Sequence, residues 1–425
     1  MTWARIPARM TESGHKERTM KKKFLSLIAI LLIAVLLICA VPFSVNAEEI
    51  PQPTVCIEKF NLVFEDNVYL KYAVRFDGVD DSKINSSNIG MLYFTEPQSD
   101  YTAGGEVHSS KVVGYTMISG QKYYTFEYRH ITAKQMTDDI YSIAYIEIDG
   151  QKYYSEPVKY SVLHYAYIKL GKIGVASENE DFRNLLSLTL EQGAAAQQYF
   201  EYNTDRLANA EYYLVEVVGG TLEDGFASGL YHSGETATMI APVLAGELIF
   251  NGWQNSDGEP VKNELTFALD NIFANVVYTA SYMEYSKGLA YTSNGDGTCS
   301  VRVGACTDTA IVIPSFSPTG DRVTSIGSFS GALTSVQIPD SVTSIHAGAF
   351  RGCSSLAGIV IPKSVTRIGA GAFSGCSALK SIEMKSKYGW ELSSGTTIPG
   401  NYLSNPKDAV SWFTYYYVNY AWIRS

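Results

Sequence analysis

Between residues 333 and 384 the sequence repeats itself every 23 positions. Leu333, Leu356 and Leu379 align, as do Val336, Ile359 and Ile382, and then Ile338, Ile361 and Met384. The match runs on through Pro339 and Pro362, Val342 and Val365, Ile345 and Ile368, Phe350 and Phe373, and Cys353 and Cys376. A fixed period of this length marks one supersecondary unit used repeatedly. A single unit has only Leu356, Ile359, Ile361, Val365, Ile368 and Phe373 as large apolar side chains, too few to offset the entropy lost in ordering it. The units must therefore stack. Each then gives its strand a partner above and below and lengthens one shared core.

The stretch "IPKSVTRIGAGAFSGC" (361–376) resembles bacterial leucine-rich repeats of the surface-antigen (BspA-like) kind, with the signature IP-x-SVT-x-I-G-x-x-AF-x-GC. The resemblance implies a secreted or surface-displayed protein that acts by binding, often as an adhesin. Upstream, "IVIPSFSPTGDRVTSIGSFSGA" is a degraded repeat with Ile313, Pro314, Ile326 and Phe329 in the matching roles. It carries extra residues after Pro314, loses four after Phe329, and reads as an amino-terminal cap preceded by the strands of "GLAYTSNGDGTCSVRVG". At the far end, Asn405 and Pro406 start a helix as N-cap and first helical residue. Trp412, Phe413, Tyr416 and Trp422 behind it read as a lid over Ile382 and Met384 rather than as a sugar platform. Along each repeat strand the side chains alternate, so Ser335, Gln337, Gly358, Val360, Ser381 and Glu383 face outward and are the candidate ligand-binding residues.

The rest of the chain reads as further β modules. Residues 48–165 hold short alternating runs broken by turns, the pattern of an antiparallel sandwich, with Gly120 and Gly150 at two related hairpin corners. Residues 166–209 read as a helical extension packed on it, with a capping box at Ser177 and Glu180 and a narrow stripe of Phe182, Leu186, Leu190, Gly193 and Ala194. In residues 210–285 the strand, glycine turn, strand and Phe250-Asn251-Gly252-Trp253 resemble the internalin-type B-repeat module, which implies a β-grasp-like fold. There Trp253 is expected in the core. The solenoid occupies 286–385 and its carboxy-terminal cap 386–425. The expected fold class is thus mainly β: a β-sandwich, a β-grasp-like module and a short capped leucine-rich-repeat solenoid, with one or two helices.

Residues 1–47 read as a signal peptide, with Lys21–Lys23, an apolar run from Phe24 and a small-residue cleavage site ending at Ala47; Met20 is an alternative start. If uncleaved, the segment is the chain's one expected contact with a membrane. Its removal takes seven basic and two acidic residues from totals of 33 and 43, leaving 26 against 41. So acidic a chain is a poor nucleic-acid partner. Five cysteines then remain, Cys56, Cys299, Cys306, Cys353 and Cys376, an odd number that argues against a disulfide framework. Cys353 and Cys376 hold equivalent repeat positions and read as small core residues; Cys299 and Cys306 are left open between a hairpin disulfide and free thiols.

The sequence shows no reactive motif, and paired carboxylates for glycan cleavage, whose partners meet only in the fold, would leave none to read. The six histidines are scattered without metal-ligand spacing, and Gly327–Gly331 places Phe329 where a nucleophile elbow needs serine. The acidic stretch 77–88 lacks the oxygen order of a calcium loop and reads as a solvated turn. No cofactor, metal site or catalytic residue is expected. The expected function is non-covalent binding of a protein or glycan at the cell surface by a secreted, adhesin-like protein, not an enzyme. Two alternatives stand beside it: a secreted hydrolase with its active site in the amino-terminal domain and the repeats as a targeting module, and a structural spacer. The outward solenoid face is small and weakly polar, so the aromatic amino-terminal region is the alternative contact surface.

Overall fold

The computed structural model describes residues 52–65 and 68–424; the expected signal segment lies outside them. The chain is mainly β, with 38% strand and 13% helix. Three α-helices occur among the described residues, Val162–Lys169, Glu180–Tyr199 and Pro406–Ser411, against the one or two expected. Among these residues no helix is long and apolar enough to cross a membrane.

Two antiparallel sheets make the first region. One has the order Thr54–Phe64, Val68–Asp77, Gln121–Tyr128, Gly114–Ile118; in the other, Ile140–Ile148 is flanked by Ile89–Phe94, Gln151–Tyr154 and Val158–Tyr160. Alternate residues Leu70, Tyr72, Val74 and Phe76 of the first sheet share one core with Ile89, Met91 and Tyr93 of the second. The expected corners are two-residue turns. Ser119-Gly120 and Asp149-Gly150 all have positive φ, the geometry whose twist matches the flanking strands.

The extra helix is Val162–Lys169. Its run of Val162, Leu163, Tyr165, Ala166 and Tyr167 is buried almost throughout, so it carries no helical stripe and resembles the end of a strand in sequence. The Ser161 hydroxyl caps it by accepting from His164 N at 3.1 Å. For Glu180–Tyr199 the cap is Asn179, whose side chain accepts from Phe182 N, not Ser177. The Ser177 hydroxyl instead accepts from Asn179 N. Leu186, Leu190, Gly193 and Ala194 are buried as their spacing requires.

The second region is a mixed sheet centred on Val276–Met283, parallel to Tyr212–Val218 and antiparallel to Leu248–Gln254. Trp253 is fully buried beside Phe250, and its indole donates to the Glu264 carbonyl at 2.8 Å. Its polar edge is thereby satisfied inside the core, and no face is left for a ligand.

From Ala310 onward the chain winds in coils. Arg322–Ile326, Ser344–Ile345 and Arg367–Ile368 form one parallel ladder. Each coil repeats the bond of the last: Thr343 N donates to Thr324 O and Thr366 N to Thr343 O, both at 2.8 Å. Packing is close enough that a Cβ on Gly369 would fall 2.2 Å from Ala347 N, so only glycine fits there. Inside, Phe329, Phe350 and Phe373 stack with centroids 5.7 and 5.5 Å apart. The Cys353 thiol donates to Phe329 O at 3.6 Å and the Cys376 thiol to Phe350 O at 3.0 Å. The repeat thus keeps cysteine because a small apolar side chain with a weak donor satisfies the carbonyl of the coil before it. Burial pushes the Cys353 thiol up and the Cys376 thiol up to about 11, which leaves both inert. Cys299 and Cys306 are free thiols.

Both ends are covered. Ala290–Ser293 and Thr298–Arg302 form a hairpin, and the latter pairs in parallel with Arg322–Ile326. The extra residues after Pro314 have a role: Phe316 packs in the core of the second region, 5.9 Å from Phe250, and Arg322 donates to Asn263 O. At the other end Phe413 meets the phenylalanine stack at Phe373 and lies 4.1 Å from Trp422, both buried. Of the expected lid, Tyr416 stands outside, 60% exposed, because the turn Trp412–Tyr416 is π-helical and rotates it off the core.

Candidate functional site

The candidate face is built by Ser335–Gln337, Gly358–Ile361 and Ser381–Met384. Val336, Ile359, Ile361, Ile382 and Met384 point into the core and are buried. Alternation then forces their neighbours outward. Ser335, Gln337 and Val360 are exposed, Val360 at 43%, and Gly358, Ser381 and Glu383 are half-buried.

These strands do not form one ladder. Ala310–Val312 pairs with Ser335–Gln337, and Gly358–Ile361 pairs with Ser381–Met384, but the two pairs are separate. The contrast is visible in corresponding bonds: Thr334 N to Thr309 O is 2.7 Å and Lys380 N to Ala357 O is 2.8 Å, whereas Ala357 N to Thr334 O is 3.4 Å. The shortened coil after Phe329 precedes this gap, and the other ladder stays continuous beneath it.

A groove of about 300 Å3 lies on this face, lined by Gly358, Val360, Ser381 and Glu383 with Val336, Ile359 and Pro406. Four of the six residues chosen from the sequence thus meet in it; Ser335 and Gln337 flank it on the exposed strand. Gly358 makes room, because a Cβ there would come 2.8 Å from Ser381 Oγ. Glu383 pairs with Lys385 at 2.7 Å on the surface, so the groove carries little net charge. Its chemistry is one hydroxyl, one compensated carboxylate and an apolar floor, suited to non-covalent contact. Pro406 was legible only as a helix start. Its place at the rim depends on how that helix packs beside Ser381–Met384, which no local pattern encodes.

Elsewhere, no group of three or more His, Cys, Asp or Glu among the described residues is placed to hold a metal ion. The turn at 77–88 satisfies itself, Asp80 accepting from Ser82 and Asn85 from Ser87. One pair of the scattered histidines does meet: His108 and His130 stack at 3.7 Å, with burial, and then His130, lowering the His108 pKa.

Residues 318–391 match the family model described as BspA type leucine rich repeat region, in six copies. This stretch is therefore a leucine-rich repeat region, and of the BspA type. Among solved structures the chain is similar to a leucine rich cell surface protein from Faecalibacterium prausnitzii, at 31% identity over 24% of this chain and 32% of that one, TM-score 0.20. It is similar to a leucine-rich repeat protein from Bacteroides ovatus, at 36% identity over 23% and 28%, TM-score 0.21. A third, the T. pallidum leucine rich repeat protein, is 24% identical over 22% and 56%, TM-score 0.19. The matched parts thus span less than two thirds of each of these proteins. No curated protein matches the chain.

Proposed function

We propose that the chain is a secreted or cell-surface recognition protein, a sandwich-like domain and a β-grasp-like module leading into a capped solenoid whose outward face binds a protein or glycan without covalent chemistry. The observation that carries this reading is the groove at Gly358, Val360, Ser381 and Glu383, where the two strand pairs part. It is supported by the stretch's BspA-type repeats, which in the family serve binding. Immobilised chain, offered bacterial and host surface fractions across salt concentrations, tests it. The triple variant Gln337→Ala, Val360→Asp, Glu383→Lys touches no core residue, so it should keep its melting temperature while losing about tenfold or more of the retained material. Equal retention by the variant favours the spacer reading. Turnover of peptidoglycan, mucin glycans or peptides that a single carboxylate change abolishes favours the hydrolase.

A further inference from the structure

A second concavity lies where the turn Asp224–Phe226 of the second region meets the first. Phe226 is the key of this junction, packed against Tyr141 at 5.3 Å in a small cluster with Phe94 and Ile143. Beside it, Lys159, whose side chain is only 7% exposed, pairs with the Asp224 carboxylate. The loop over residues 98–102 faces the turn across an open cleft of about 320 Å3. Asp100 there is tied by one oxygen: Oδ1 accepts from Thr102 N at 2.8 Å and from Thr102 Oγ1 at 2.7 Å. Those bonds hold its carboxyl below the usual range, so it stays ionised, and no bond engages its Oδ2. Tyr101 is anchored edge-on to Phe94 at 5.1 Å, and with Phe226 it gives the cleft half-buried aromatic walls.

We infer that this cleft binds a neutral sugar ring. Its lining offers the free oxygen of Asp100 and the Ser99 and Thr102 hydroxyls as acceptors, with Asp224 already engaged by Lys159 and by Phe226 N at 3.1 Å, and a sugar is a ring of hydroxyl donors with apolar C–H faces that suit Tyr101 and Phe226. The volume is that of a small-molecule site at a domain junction and admits one or two rings. Charge decides between ligands. Among the described residues no cation lines the cleft, and Lys159 beside it is already paired with Asp224, so nothing remains to hold a phosphate or a carboxylate. Two carboxylates are also too few for a dedicated calcium site.

The inference does not depend on the solenoid groove, and its test is separate. Saturation-transfer NMR on the full chain uses methyl β-glucopyranoside, methyl β-galactopyranoside and N-acetylglucosamine as probes, with glucose 6-phosphate and phenethylamine as charged comparators. At least one neutral probe should receive saturation, the charged ones should not, and Asp100→Asn should weaken that binding about tenfold or more. Asparagine keeps the oxygen that Thr102 needs, so near-UV circular dichroism should be unchanged. Leu188→Ser, on the exposed face of helix Glu180–Tyr199, should bind like the parent. No transfer to any neutral probe, equal transfer in Asp100→Asn, or stronger transfer to a charged probe would overturn the assignment.

Discussion

Phe350→Ala is expected to lower the unfolding free energy of the repeat region by about 3–5 kcal/mol. Phe350 is fully buried, and its ring lies between Phe329 and Phe373, with planes inclined by 29° and 12°. Truncation removes the transfer energy of the ring and two aromatic contacts together, and leaves a void that coils on either side are too tightly bonded to close. They are held by Phe350 N donating to Ala372 O at 2.8 Å and by the Cys376 thiol on Phe350 O. Guanidinium denaturation measures the loss, with Val360→Ala on the outward face as reference, expected within about 0.5 kcal/mol of the parent. A loss at Phe350 no larger than at Val360 would mean that the coils do not share an interior.

Ending the chain after Ala421 is the second large effect. The strand Trp422–Arg424 lies antiparallel between Arg367–Ile368 and Trp390–Leu392, and so closes the continuous ladder. Trp422 is buried against Phe413, and Arg424 N donates to Thr366 O at 2.8 Å. Losing the tryptophan alone costs about 3–5 kcal/mol. The cut also bares the edge of a ladder built to accept another strand. The truncated chain should therefore melt at a lower temperature and associate with itself as concentration rises, by light scattering after size exclusion. A monomer that melts like the parent would show that this strand caps nothing.

What the sequence carries well is whatever repeats. Every outward and inward assignment on Ser335–Gln337, Gly358–Ile361 and Ser381–Met384 follows from period and alternation, and so does the equivalence of Cys353 and Cys376. The phenylalanine stack follows too, because equal positions in stacked coils must meet. What it hides are features set by one copy or by distant packing. The parting of the strand pairs falls between Ser335–Gln337 and Gly358–Ile361, coils of the regular 23-residue length, and so leaves no mark in the repeat. Phe316 lies among the extra residues after Pro314, which carry no repeat signal, yet it fastens the coils to the core around Phe250 and Trp253. The helix Val162–Lys169 is buried on nearly all sides and so has no stripe to read. Two of the candidate groove's features, the Pro406 rim and the gap, belong to that hidden class, while its outward side chains do not.

From Ser344 onward the coils lie one above the next at 23-residue register, which sets Gly358 and Val360 beside Ser381 and Glu383 on the outer face. Gly358 and Ser381 are directly paired in that register, and a Cβ on Gly358 falls 2.8 Å from Ser381 Oγ. The double variant Gly358→Cys, Ser381→Cys, oxidised in the folded state and digested, therefore tests it most directly. The prediction is one dominant linked peptide joining positions 358 and 381, formed readily without denaturant. Absence of that link, or links scattered among other thiols, would contradict the stack and the binding face built on it.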